Sequence, residues 1–357
     1  MRTFGSSRAA CEADERDLRE VPGIGAGLAA RIVRRRVFVD VDRELCRAAA
    51  VGARVVTWVD AAYPLRLRDL RDPPAVLYLR GGWCGDPDPA VAIVGTRHPS
   101  AYGLDVAGSL GESLGGAGVV VVSGLARGID QAAHAGALRQ RGRTIAVLGC
   151  GVDVVYPPEH RTLMEAMLRD GGVVSEVPMG THPRPQRFPL RNRLISGLAQ
   201  AVVVVEGGID SGSLITARHA SAQRRPVYAV PGSVFAPGSR GPHRLLAGGA
   251  RLLLDPRELL RKLAVPRPLR PEGSPEGRLT EDETRVLRVL SDSPVHIDRI
   301  IAQAGLGAGR VAGALATLEM QGLVRQCPGK RFTRRAAFQG PAPHNAGGDT
   351  WRNHSSL

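Results

Sequence analysis

At 357 residues and 43% hydrophobic content, the chain exceeds one typical domain, so two or three cores are expected. No run approaches the roughly 18 to 20 apolar residues that span a bilayer, and the opening MRTFGSSRAACEADERD has no apolar signal core. The expectation is a cytoplasmic protein without membrane insertion. A formal charge of +14 points to a polyanionic partner.

Lys262 and Lys330 are the only lysines, so the positive charge is nearly all arginine. An Arg-, Ala- and Gly-rich composition would raise the net charge without any ligand, so the placement of the arginines has to decide. Cys11, Cys46, Cys84, Cys150 and Cys327 are odd in number, far apart and without metal-ligand spacing. Neither a disulfide framework nor a zinc site is supported.

In chain order, residues 1–75 read as a small helical domain. Within it, VPGIGAGLAARIV (21–33) places a PGIG turn before an amphipathic helix, as a helix-hairpin-helix element does. Such an element offers backbone N–H groups to a DNA phosphate; a plain helix cap fits the same residues. GGWCGDPDPA (81–90) reads as the entry loop to the next domain, residues 76–264.

Apolar runs then recur: VAIVG (91–95), VVVVSG (119–124), TIAVLG (144–149), GVVSEV (172–177), AVVVVE (201–206), VYAV (227–230) and ARLLL (250–254). Runs of this kind are strands buried on both faces, and the intervening segments are long enough for crossover helices. The expected fold is α/β, an extended Rossmann-like, doubly wound, mostly parallel sheet.

Ligands of open parallel sheets bind beyond the strand carboxyl ends. There the sequence collects Gly, Ser and Arg: GTRHPSAYG (95–103), SGLARGID (123–130), GCGVDVVYPPEH (149–160), EGGIDSGSLITA (206–217) and PGSVFAPGSRG (231–241). Glycine lets backbone N–H groups approach a phosphate, helix N-termini favour negative charge, and Arg supplies a bidentate fork. No turn has the P-loop Gly-Lys-Ser/Thr, and the first is not GxGxxG. An extended anion is therefore expected in place of ATP or a dinucleotide, with no cofactor.

PRPQRFPLRNRLISGLA (183–199) adds Phe188 among Arg184, Arg187, Arg191 and Arg193, with Asn192 between the last two. Aromatic stacking plus guanidinium contacts is how single strands are gripped without reading sequence. The flanking prolines suggest an exposed loop; a buried Phe188 with surface arginines is the alternative.

VPRPLRPEGSPEG and its surroundings (265–278) read as a linker, residues 279–335 as a winged helix, and 336–357 as a disordered tail.

From about Asp60 to Asp255 the chain resembles the DNA-processing A (DprA/Smf) family. The resemblance rests on YPLRLRDLRDPPAVLYLRG (63–81), VAIVGTR (91–97), SGLARGID (123–130), FPLRNRLISGL (188–198), VVVEGGIDSGSLITA (203–217) and AVPGS (229–233), in unbroken order. It implies an extended Rossmann domain that binds single-stranded DNA, forms a homodimer, and interacts with RecA recombinase to help load it during natural transformation. Carried onto this chain, Arg97, Gly124, Arg127 and Arg191 to Arg193 would contact the DNA backbone. Gly128, Arg187, Phe188, Ser211, Gly212, Ser213 and Thr216 complete the candidate contacts, and Asp130 and Glu206 are taken as loop organisers. Leu190 departs from the pattern, since many relatives carry a basic residue before the RNR triplet; a phosphate contact there would fall to Arg187 or Arg184.

Two other functions fit parts of the sequence. A nucleotide phosphoribohydrolase-like enzyme would use Glu206, Asp130 or Asp210 as acid or base, but VVVEGGIDSGS lacks the PGGxGT-like turn of those hydrolases, and no catalytic residue is assigned. A transcriptional regulator would read duplex DNA with its winged helix. Its candidate recognition segment, GRVAGALATLEMQG (309–322), has Arg310 and Glu319 as its only charges.

Overall fold

The computed structural model describes residues 3–263 and 279–334, apart from Cys84, Asp88, Asp292 and Gly322. The expected linker (265–278) and tail (336–357) lie outside the described residues.

The chain divides into two units at Gly52. The first holds α1 (Ser7–Glu12), α2 (Glu15–Arg19), α3 (Ala26–Arg36) and α4 (Val41–Ala50). Asp14 and Asp40 cap α2 and α4 through their side chains, whereas Gly25 begins α3 without a side-chain cap. Leu18 and Ala29 form its small core with Ile24 and Ile32.

The second unit begins with β1 (Ala53–Thr57), α5 (Leu65–Arg68) and β2 (Val76–Gly81). The helical domain expected to reach residue 75 thus stops at Gly52. β1 pairs antiparallel with β2, and β2 with the strand Gly172–Ser175, so these residues belong to the sheet. β1 is a five-residue edge strand in which only Ala53 and Val56 are buried, a weak apolar signal.

The remaining elements alternate as expected: β3 (Ala90–Val94), α6 (Ala101–Gly116), β4 (Val120–Ser123), α7 (Ile129–Arg139), β5 (Thr144–Val147), α8 (Arg161–Met167), β6 (Gly172–Ser175), α9 (Arg187–Leu198), β7 (Ala201–Val204), α10 (Gly212–Ala222), β8 (Val227–Ala229), α11 (Arg240–Ala247), β9 (Arg251–Leu252) and α12 (Pro256–Lys262). The sheet order is β1-β2-β6-β5-β4-β3-β7-β8-β9, and β6 through β9 run parallel.

Side-chain alternation along each strand feeds two cores, one on each face. Ala90, Ala92 and Val94 of β3 pack with Leu67, Leu194, Leu198 and Ala217, from α5, α9 and α10. Val91 and Ile93 pack with Leu110, Leu114, Ala133 and Leu259, from α6, α7 and α12. Burial on both faces explains why these strands read as continuous apolar runs.

The winding reverses between β3 and β7, because β4, β5 and β6 follow on one side of β3 and β8 and β9 lie beyond β7 on the other. The loops leaving β3 and β7 diverge there and open a crevice at the strand carboxyl ends.

The winged helix comprises α13 (Glu281–Val289), β10 (Val295–His296), α14 (Ile297–Ala304), α15 (Ala308–Met320), β11 (Val324–Cys327) and β12 (Arg331–Arg334). Thr280 and Glu283 form a capping box on α13, and Val286, Ile300, Val311, Leu318 and Phe332 share its core. Arg325 of β11 pairs with Asp105 of α6.

Candidate nucleic-acid interface

At the β3/β7 switch point lies an open cleft of about 540 Å³. Its walls come from separate connections: Val94 to His98 after β3, Ala126 and Asp130 after β4, and Tyr156 after β5. Pro183, Pro185 and α9 as far as Ile195 supply another wall, and Ser211 to Ser213 with Thr216 the last. Arg97, Asp130, Phe188, Arg191, Asn192, Ser211, Gly212, Ser213 and Thr216 are thereby brought together from segments remote in sequence. A small cavity of about 20 Å³ adjoins Arg97, Phe188 and Arg191 and adds Gly124 and Arg127 to the surroundings.

Helices α6, α7 and α10 begin at this edge, as does α9. Ser100 caps α6 by accepting from Gly103 N–H (3.1 Å), and Ser211 caps α10 by accepting from Ser213 N–H (3.3 Å). α7 starts at Gly128, and Ile129 N–H donates to the Thr96 carbonyl (3.2 Å). Gly128 is needed for space: its φ is +81°, and a Cβ would meet the Thr96 oxygen at 2.5 Å. The positive ends of these helices favour an anion at the edge.

Glu206 and Asp130 each accept hydrogen bonds from a neighbouring turn. Both carboxylate oxygens of the buried Glu206 accept from Ser100, one from N–H (2.9 Å) and one from Oγ (2.5 Å). Asp130, also buried, accepts from Gly124 N–H (3.1 Å) and Ala126 N–H (3.3 Å). Burial raises the Asp130 pKa, an effect opposed by the Arg191 charge and by these N–H groups.

Phe188 is stacked on Tyr156, with centroids 5.6 Å apart and planes 28° apart. The Arg97 guanidinium stands 5.3 Å from the Phe188 centroid and is exposed. Tyr156 escaped the sequence reading, although an aromatic in the Gly- and Pro-rich turn after β5 was its available signal.

Several expected contacts are placed differently. The segment read as an exposed loop is helix α9 from Arg187 onward, because Pro189 sits in its first turn, where a backbone N–H has no helical partner to lose. Arg191 does not face solvent: it is buried, donating to the carbonyls of Gly124 (2.8 Å) and Val147. Burial lowers its pKa to about 10, with Asp130 opposing the shift. Arg193 lies outside the cleft, paired with Glu176 (2.6 Å) and, more loosely, Asp72 (3.6 Å). Asn192 Nδ2 donates to the Gly212 carbonyl (3.2 Å) and ties α9 to the start of α10. Arg127 is exposed and paired with Glu159, and Arg187 donates to the His182 carbonyl (2.8 Å). The arginines therefore divide between the cleft rim, where Arg97 and Arg127 are exposed, and structural posts at Arg191 and Arg193.

Among the described residues no group of three or more His, Cys, Asp or Glu could hold a metal ion, and no helix is long and apolar enough to cross a membrane. Cys150 is buried, which pushes its thiol up to about 11.

Comparison with known proteins agrees with this architecture. The family model for DNA recombination-mediator protein A matches residues 54–264, and that for the DprA winged helix domain matches 270–330. Protein Smf of Synechocystis is 34% identical, covering 89% of each chain. DNA processing protein DprA of Bacillus subtilis is 43% identical over 63% of this chain and 76% of its own. Among solved structures, DprA of Streptococcus pneumoniae superposes with a TM-score of 0.61 at 33% identity, covering 70% of this chain and 86% of that one. DNA processing protein A of Helicobacter pylori, whose structure concerns its single-stranded DNA binding mode, gives 0.53 at 29% identity, covering 59% and 96%. With one family model spanning the nine-stranded sheet and another its winged helix, the chain belongs to the DNA recombination-mediator protein A family.

Proposed function

We propose that this protein binds single-stranded DNA across the carboxyl edge of its sheet and performs no chemistry on it. The observation that carries the reading is the Tyr156–Phe188 stack with Arg97 beside it, set in an open cleft at the edge where α6, α7, α9 and α10 begin. Stacked aromatics accept any base, and arginine with helix N-termini favours the backbone. The H. pylori relative, studied for its binding of single-stranded DNA, supports the same assignment. Dimerisation, protection of incoming strands and loading of RecA recombinase in the cytoplasm extend this reading on the strength of family membership.

The carboxylates argue against the hydrolase reading. Glu206 spends both oxygens on Ser100, and Asp130 holds the turn after β4. The regulator reading loses its main reading cation, since Arg310 at the start of α15 is engaged by Asp282.

Titrating single-stranded and duplex oligonucleotides over a range of salt tests the assignment. Single strands should bind more tightly, with Arg97→Ala reducing the salt slope by about 0.7. Phe188→Ala should weaken binding by about 1–3 kcal/mol and leave the slope alone. Equal affinity for duplex, or release of a base from a ribonucleoside monophosphate, would overturn it.

A further inference from the structure

The Phe188 ring has three partners, and one of them lacks an anchor. Tyr156 stacks on it. Arg191, 5.8 Å from the centroid, is buried and fixed by the Gly124 and Val147 carbonyls. The backbone also closes in, since a Cβ at Gly149 would stand 3.1 Å from Phe188 Cδ1. Arg97 differs: it is exposed, and among the described residues it makes no hydrogen bond or ion pair, its guanidinium resting 5.3 Å from the ring centroid. A cation so placed occupies aromatic surface that a nucleobase would use.

We propose that Arg97 is a displaceable cap on Phe188: a nucleobase of the bound strand takes its place against the ring, and the freed guanidinium moves to a backbone phosphate. This rests on the single-strand reading and adds the order of events within that site. The exchange runs downhill, because an exposed cation–π contact is weaker than base stacking on an aromatic. The released guanidinium then gains charge-assisted hydrogen bonds that the ring cannot give. Tyr156 and Arg191 stay put and keep the ring oriented throughout.

A double-mutant cycle on a short oligothymidylate gives the sign. In wild type the base must evict Arg97 to reach Phe188; in Arg97→Ala the ring is already bare. Phe188→Ala should therefore weaken binding about two- to fivefold more in the Arg97→Ala background than in wild type, the weight of an exposed cation–π contact. An equal or smaller loss in that background would mean that Arg97 remains on the ring in the complex, and the cap would be overturned. If neither single substitution changed affinity in folded protein, the single-strand reading would fall, and the cap with it. Phe188→Leu, which keeps apolar volume, repeats the cycle should the alanine variant not fold. As an independent readout, an oligonucleotide carrying 2-aminopurine should be quenched by Arg97→Ala protein at least as fully as by wild type.

Discussion

Arg191 and Asp130 hold the same residue from its two backbone ends: Asp130 accepts the Gly124 N–H, and Arg191 donates to the Gly124 carbonyl. A Cβ on Gly124 would lie 2.6 Å from Arg191 Nη2, so the turn after β4 is built around this guanidinium. Arg191→Ala would leave Asp130 buried without its counter-charge and strip the Gly124 and Val147 carbonyls of a donor. Its cost to folding should be about 3–5 kcal/mol, measured by chemical denaturation. A variant as stable as wild type would show that the pair does not support the turn.

Arg193→Ala should leave the salt dependence of single-strand binding unchanged, because Arg193 is paired with Glu176 away from the cleft. Arg97→Ala should lower it. Parallel salt titrations decide between them; a flattened slope for Arg193→Ala would place that residue on the DNA.

His134 offers a test against pH. Thr144 Oγ1 donates its one proton to the Val121 carbonyl (2.7 Å), so His134 Nδ1 must donate to Thr144 (2.6 Å). Nε2 is left buried without a partner among the described residues. Burial, with the charges of His160 and Arg191, lowers the His134 pKa from 6.5 to about 3. The unfolded chain therefore binds this proton between pH 6.5 and about 3 while the folded protein does not. This contribution is complete above pH 6.5 and is lost as pH falls toward 3, by at most about 1.4 kcal/mol per pH unit. Denaturation midpoints of wild type and His134→Asn across that range should diverge accordingly; parallel curves would refute the assignment.

A chain ending at Leu263 should fold and bind single strands within about tenfold of full length, a loss of at most roughly 1.4 kcal/mol. Among the described residues that line the cleft none comes from the winged helix, and the Arg325–Asp105 pair joins β11 to α6. A hundredfold loss in a folded truncation would bring the winged helix into the binding site.

What could be read from the chain alone follows physical lines. Six of the seven parallel strands, β3 to β8, were legible because burial on both faces forces unbroken apolar runs; β9 at the edge is exposed at both residues. β1 was not, since only two of its five residues are buried and such a pattern on an antiparallel edge resembles ordinary surface. The glycine- and arginine-rich turns lie along one edge of the sheet, and Phe188, Arg97 and Ser211 to Ser213 meet there. The separate duties of Arg191 and Arg193 could not be read, because their partners, Gly124, Val147 and Glu176, lie on connections distant in sequence. The two arginines of RNR look equivalent until the fold supplies those partners.

The chain's crossover from β6 to β7, which produces the reversal of winding, also divides authorship of the cleft. Residues up to β6 supply Arg97, Asp130 and Tyr156, whereas those from Pro183 onward supply Phe188, Asn192 and the Ser211 turn. Neither half of the polypeptide carries the Tyr156–Phe188 stack by itself. Two separate chains divided between Ser175 and Pro183 would each bring one bank of the channel, and capture of a strand would then serve as a gauge of their reunion.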